Sequence, residues 1–354
     1  MKNLFLCGSL QTSSYGLLSA ITSRRFLPGA IIFVATLQAG ALTINPVFDG
    51  SITNLATAAL IKNAFNQAAQ YFQNTYSDPV TVNINVYFGN QGPFSGGNPI
   101  SGAASFGNDL TNYTYGQIMN FLTADKKSAD DTTAVASLPA SNPLPFNFML
   151  TTAQAKALGQ TVNYTNSYLA NRYGAQFNPY GATNNVDGWI SFDPNTNDWF
   201  FGAGSVTATQ EDFIGAAEHE ISEVLGRVSN LRSTNADPYG MVFDLFRYTG
   251  PNSLSYDPTA NNVWFSINKG TNLLAQFNSG AKGDLHDWST NTALTDPYDA
   301  FGTNGVVNAI TAVDTQTLDV VGWDLKAVPE PGAIALVSTA VLAPVLLRLR
   351  RRKA

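Results

Sequence analysis

The chain has 354 residues, 44% of them hydrophobic and only 12% charged, enough apolar mass for a substantial core in one or two domains and unlike any disordered composition. With the two ends set aside, the middle keeps 11 of the 19 basic residues and 24 of the 25 acidic ones, a balance near −13 that argues against nucleic acid or anionic membrane as partner and suits cation binding. The single cysteine, Cys7, leaves the body without disulfide or thiol chemistry.

Residues 1–41 read as a secretory signal peptide. Arg24 and Arg25 precede an apolar run from Phe26 to Leu37, and Ala39-Gly40-Ala41 has the small-x-small form of a cleavage site. The run is shorter than the ~20 residues of a bilayer span. The body then spans 42–325, divided into an N-terminal part (42–227) and a C-terminal part (228–325). A first strand is expected from Leu42, followed by a helix from Ala58 to Phe72 capped by Ser51 or Thr53. Val80 to Phe88 alternates apolar and polar residues and reads as a half-buried strand. Gly89 to Gly107, rich in Gly, Ser, Asn and Pro, reads as loop. Short helices are expected over Tyr113–Leu122, over Asp130–Leu138 with Ser128 as cap, and over Thr151–Leu158. Gln160 to Asn185 shows no period. Val186–Phe192 reads as a strand with Trp199–Val206 returning as its partner.

The strongest helix signal is Gln210 to Leu231. Phe213, Ile214, Ala217, Ile221, Val224 and Leu225 recur at three- and four-residue spacings, and Gly226 supplies the stop. Within it His219 and Glu223 lie four apart and project from one face, with Glu220 about 100° round the axis. That spacing is how a zinc-hydrolase helix is built: an imidazole and a second ligand hold the ion, and the carboxylate beside the first ligand takes a proton from the attacking water. His219 and Glu223 are therefore candidate ligands of a Zn2+ ion, and Glu220 is the candidate general base. The chain has only two histidines, and four ionisable groups, Glu218, His219, Glu220 and Glu223, crowd this otherwise apolar helix. The second histidine, His286, sits between Asp284 and Asp287 in a polar loop and is the leading candidate for the third ligand. Asp244 is the alternative, in a strand expected over Met241–Tyr248, where pairing with Arg247 or Arg227 competes with ligation. A strand at Val263–Ile267 and a helix over Asp314–Val321 complete the body. The pattern as a whole is α+β: a mixed sheet packed on helices, a central active-site helix, and a smaller, irregular C-terminal subdomain.

Two resemblances follow from these motifs. Val328-Pro-Glu-Pro-Gly332, an apolar segment from Ala333 to Leu347 and a basic cluster from Arg348 to Lys353 together resemble the PEP-CTERM sorting signal of Gram-negative bacteria. The likeness covers 328–354. It implies export, transient anchoring in the inner membrane through this segment, an exosortase-type sorting enzyme as partner, and a final place on the cell surface or in the extracellular matrix. The Ala217–Arg227 text resembles a group of exported bacterial zinc-metalloprotease-like proteins and, more widely, the metzincins. That likeness implies a zincin-like fold, a protein or peptide substrate, a turn at Gly226, and Ser229 in the place of the metzincins' third ligand. Glu223 stands where their second histidine would be. An inactive zincin-like matrix protein associated with exopolysaccharide is the alternative expectation.

Overall fold

Alternating side chains build the first sheet. In β1 (Thr43–Phe48) and β2 (Thr81–Phe88) residues such as Ile44, Val82, Ile84 and Val86 point into the core, and the two strands pair in parallel register. The chain between them forms α1 (Gly50–Thr53) and α2 (Ala58–Thr75), whose Ile61, Ala64, Phe65, Ala68, Ala69 and Phe72 are all buried. The caps differ from expectation. Asp49 caps α1 through the Ser51 N–H, while the Ser51 hydroxyl accepts from Phe88 N–H and Thr53 lies inside α1. This computed structural model describes residues 41–90, 100–164, 185–231, 239–279, 283–289 and 295–327. The expected signal peptide, apart from Ala41, the sorting segment, and most of Gln160–Asn185 lie outside them.

The stretch expected as loop before Gly107 ends in a strand, β3 (Ala103–Gly107), and a further strand follows at once, β4 (Asp109–Tyr113). Small residues in Ala-Ala-Ser-Phe-Gly give no alternation to read, so only pairing with a neighbour reveals β3. Next come α3 (Tyr115–Asp125) and α4 (Ala129–Ser137), opened by the capping boxes Thr114/Gln117 and Ser128/Asp131. β5 (Asn147–Thr151) leads into α5 (Thr152–Ala157), capped by Thr151. β6 (Gly188–Phe192) is buried along its whole length, because it lies inside the main sheet, whose order is β1-β2-β6-β3. It runs parallel to β2 and antiparallel to β3. With both edges of β6 taken, Trp199–Val206 cannot be its partner; instead β7 (Trp199–Phe200) pairs with β8 (Glu211–Asp212). The edge strands of the main sheet, among the described residues, are β1 and β3.

The central helix is α6 (Phe213–Val224). Its first turn is anchored by an aromatic cluster in which Phe213 stands 4.5 Å from Phe192 and 5.5 Å from Trp199, centroid to centroid. Its last turn presses on β6 so closely that a Cβ on Gly188 would lie 2.5 Å from Val224 Cγ2. β9 (Tyr239–Met241) joins β4 and β5 in a second sheet of order β4-β5-β9. The strand expected from Met241 breaks there: Val242–Phe246 form a 3-10 helix, because Asp244 turns back to accept the Met241 N–H. β10 (Arg247–Gly250), β11 (Ser253–Leu254), β12 (Trp264–Phe265) and β13 (Ala275–Gln276) make a small sheet in the order β11-β10-β12-β13. The last helix, α7 (Ala312–Val320), is followed by Trp323, whose indole N–H donates to the Leu225 carbonyl at the end of α6. The architecture is mixed α/β, and among the described residues no helix is long and apolar enough to cross a membrane.

Candidate metal centre

Asp212 starts α6 by accepting the Ile214 N–H, and its other oxygen accepts from Asn308 N–H. The helix stops at a Schellman turn. Gly226, at φ +116°, donates to the Glu223 carbonyl and Arg227 donates to the Ser222 carbonyl. A Cβ at Gly226 would also meet Gln154 at 2.9 Å. This reversal carries Arg227 and Ser229 back beneath the polar face of the helix, where residues 283–289 and 295–299 close over it.

Five side chains converge there. His219 Nε2 lies 3.1 Å from Glu223 Oε1 and 3.2 Å from Asp287 Oδ1. His286 Nε2 lies 2.7 Å from the same Glu223 oxygen and 3.9 Å from Asp287 Oδ1. Arg227, fully buried, donates to Asp287 Oδ1 at 3.0 Å and to the His286 carbonyl at 3.0 Å, with its guanidinium 4.2 Å over the Tyr298 ring. The Arg227 Nε–H donates to Ser222 Oγ, which in turn donates to the His219 carbonyl. The second Glu223 oxygen accepts from Ser105 Oγ on β3 at 2.6 Å. The segments 42–227 and 228–325 thus both contribute to one cluster.

The two imidazoles carry their protons differently. His219 Nδ1 is 2.7 Å from the Pro297 carbonyl, an acceptor only, so Nδ1 holds the proton and Nε2 presents its lone pair to Glu223 and Asp287. His286 Nδ1 accepts the Ser229 N–H at 3.1 Å, so its proton sits on Nε2 and is donated to Glu223. A lone pair facing two carboxylates is tolerable only if the ring is protonated or a cation lies between them. Burial works against charge on His219, but Asp287 and Glu223 raise its pKa well above the usual range. Burial likewise opposes charge on His286, and Glu223 and Asp287 raise it; the second proton, however, would have to enter at Nδ1, against the Ser229 N–H. The carboxylates respond in opposite senses. Burial pushes Glu223 up, yet His286 and His219 hold it well below the ordinary range, and His219, His286 and Arg227 together overcome burial to lower Asp287. Burial, reinforced by Glu223, raises Glu220 well above it.

The donors fit a metal ion. Ligand bonds of about 2.0–2.1 Å in a tetrahedron place donors roughly 3.3 Å apart, and the His219–Glu223 and His219–Asp287 separations of 3.1 and 3.2 Å match that edge. Glu223, Asp284, His286 and Asp287 each offer an atom within 4.8 Å of the others. The cluster opens on a cavity of about 470 Å³ bordered by Ala103–Ser105 of β3, by His219, Glu220 and Glu223, and by residues 296–303. Glu220 is 5% exposed, and its Oε2 has no hydrogen-bond partner.

All four residues singled out from sequence, His219, Glu220, Glu223 and His286, therefore meet at one place. Asp244 does not join them: it accepts Ser229 Oγ–H and the Met241 N–H and serves as the cap of the 3-10 helix. Ser229 reaches the cluster, but as the donor that orients His286. Asp287 was visible only as a neighbour of His286, Arg227 only as the last residue of the Ala217–Arg227 stretch and a candidate partner of Asp244, and nothing in the sequence marks Pro297 as part of the site. A second group of acids, Asp78, Asp125 and Asp324, lies where the ends of α2, α3 and α7 meet, with Lys127 on Asp324. No known protein family, curated protein or solved structure matches the chain. What the fold and site define is a mixed α/β protein with a histidine–carboxylate cluster able to hold a metal ion.

Proposed function

We propose that the protein is a zinc-dependent peptidase-like hydrolase, with His219, Glu223 and Asp287 as ligands and Glu220 as general base. The observation that carries this reading is the placement of His219 Nε2, with Nδ1 fixed by Pro297, against two buried carboxylates at ligand spacing beside a glutamate whose Oε2 has no hydrogen-bond partner. A bound zinc ion would supply Lewis acidity at the carbonyl under attack. Burial and Glu223 raise the basicity of Glu220 at the cavity wall, and in its ionised form it would accept the proton of the attacking water and return it to the leaving amine. His286 donates to Glu223 and keeps its ligating oxygen aimed at His219. As an edge strand along the cavity, β3 is placed where an extended substrate could pair with it. This combination of edge strand, helix and cavity is what supports the zincin-like reading of the fold. Export and sorting to the cell surface remain part of the proposal through the motifs at 1–41 and 328–354.

The test combines metal analysis of the purified body with casein hydrolysis by wild type and Glu220→Gln. Zinc at one equivalent and loss of hydrolysis in the variant are expected; absence of both would reject the reading. One observation favours a second reading. Arg227 already supplies a buried cation to Asp287 and stands 3.6 Å from Glu223, so the cluster has internal neutralisation and suits a non-catalytic matrix protein as well. That reading expects no zinc and a melting temperature indifferent to chelator.

A further inference from the structure

The cavity over the centre has an unusual lining: eight of its side chains are Asp or Glu, and among the described residues none is Lys or Arg. Three of the inner acids are answered, the fourth being Glu220. Asp287 meets Arg227, Glu223 meets His286 and Ser105, and Asp212 caps α6. The outer ones lack a cation, although Asp296 accepts the Tyr298 N–H. Glu211, Asp284, Asp296 and Asp299 take part in no ion pair among the described residues. Asp299 is 7% exposed, borders the cavity, and leaves its Oδ2 without a hydrogen-bond partner. Burying such a group without a counter-charge is costly, and burial accordingly pushes Asp299 up to about 7. A wall of acids converging on one concave surface also focuses a negative potential that concentrates cationic guests.

Resting on the peptidase-like reading, we propose that the cavity recognises a basic peptide segment, with a Lys or Arg side chain held by Asp299 and Glu211 while its backbone follows the edge of β3. The guest is a peptide rather than a small cation because β3 borders the same cavity and is an edge strand of the main sheet, a position at which an extended chain can add by backbone pairing. Arginine matches the outer acids best, since its fork can engage carboxylates in pairs.

The experiment reads binding, not cleavage. Labelled peptides of equal length, one rich in Lys and Arg, one rich in Asp and Glu and one neutral, are titrated with Glu220→Gln protein in zinc-supplemented buffer and followed by fluorescence anisotropy. The basic peptide is expected to bind at least about tenfold tighter than the acidic one, with the preference shrinking as salt rises. Adding Glu211→Gln and Asp299→Asn should remove most of that preference and leave the neutral peptide unchanged. Equal binding of the three peptides, or a preference surviving both substitutions in a protein with wild-type circular dichroism, would overturn the proposal. If the double variant does not fold, the comparison of the three peptides decides by itself. Selectivity in a protein whose wild type cleaves no casein keeps this proposal and removes the peptidase reading; cleavage without selectivity does the reverse.

Discussion

The Ser229 backbone N–H points at His286 Nδ1 from 3.1 Å, and that one hydrogen bond decides what the ring can do. With Nδ1 used as an acceptor, the proton lies on Nε2 and goes to Glu223; His219, tied through Nδ1–H to Pro297, turns its Nε2 toward Glu223 and Asp287. The two histidines of the chain thus hold different offices at the same cluster.

Their substitutions should separate accordingly. His219→Ala is expected to abolish stoichiometric zinc binding. His286→Gln, which retains a donor toward Glu223, should weaken binding by about 10- to 100-fold without abolishing it, as for other residues that orient a ligand. Competition titration with a zinc chelator measures both, and equal losses would place His286 on the metal.

Arg227→Met removes the buried guanidinium at the cluster and leaves the charge of Asp287 and Glu223 to be offset by the two imidazoles alone. A loss of about 3–5 kcal/mol in unfolding free energy is expected. Because zinc can take over the neutralisation, the loss should be larger in chelator than in zinc-supplemented buffer, which urea denaturation under both conditions would show.

Gly188→Ala drives a methyl into Val224, whose Cγ2 would be 2.5 Å away. Strain between β6 and α6 should cost about 1–3 kcal/mol, the range for overpacked cores. The double variant Gly188→Ala, Val224→Ala should recover part of it, and a thermal-denaturation cycle over the four proteins would reveal the coupling.

The acid group at Asp78, Asp125 and Asp324 gives a pH dependence of defined sign. Burial and then Asp324 raise Asp78 to about 7, and burial followed by Asp324 and Asp78 raises Asp125 to about 8. Both values exceed the ~3.9 of an unfolded aspartate, so their contribution is complete below about pH 4 and declines as pH rises toward 7–8. Asp78→Asn keeps the acceptor for Asp324 N–H and cannot ionise. Relative to wild type its melting temperature should therefore improve steadily between about pH 5 and pH 8; a constant difference across that range would refute the assignment.

The helical periodicity of Phe213 to Leu225 and the His219/Glu223 spacing were legible because both are local. So was the alternation of Val80–Phe88, since every second residue faces one core. β3 was not, because Ala-Ala-Ser-Phe-Gly has no side-chain pattern and becomes a strand only by pairing with β6. Asp244 misled for a related reason: its role is set by a backbone N–H three residues earlier, which no residue-type argument can see. Arg227 and Pro297 belong to the centre through contacts 60 and 78 residues apart in sequence, beyond any motif.

Synthesis runs from the N-terminus, and the centre is stitched from ends of the chain made at different times. Arg227 waits 59 residues for His286, and Leu225 waits 98 for the Trp323 indole that seats the foot of its helix. A nascent polypeptide therefore carries a half-made, highly acidic pocket until almost its entire body has emerged. On the proposed reading, acquisition of an ion would be a finishing event, and any interrupted or prematurely clipped product lacks the pieces that close the pocket.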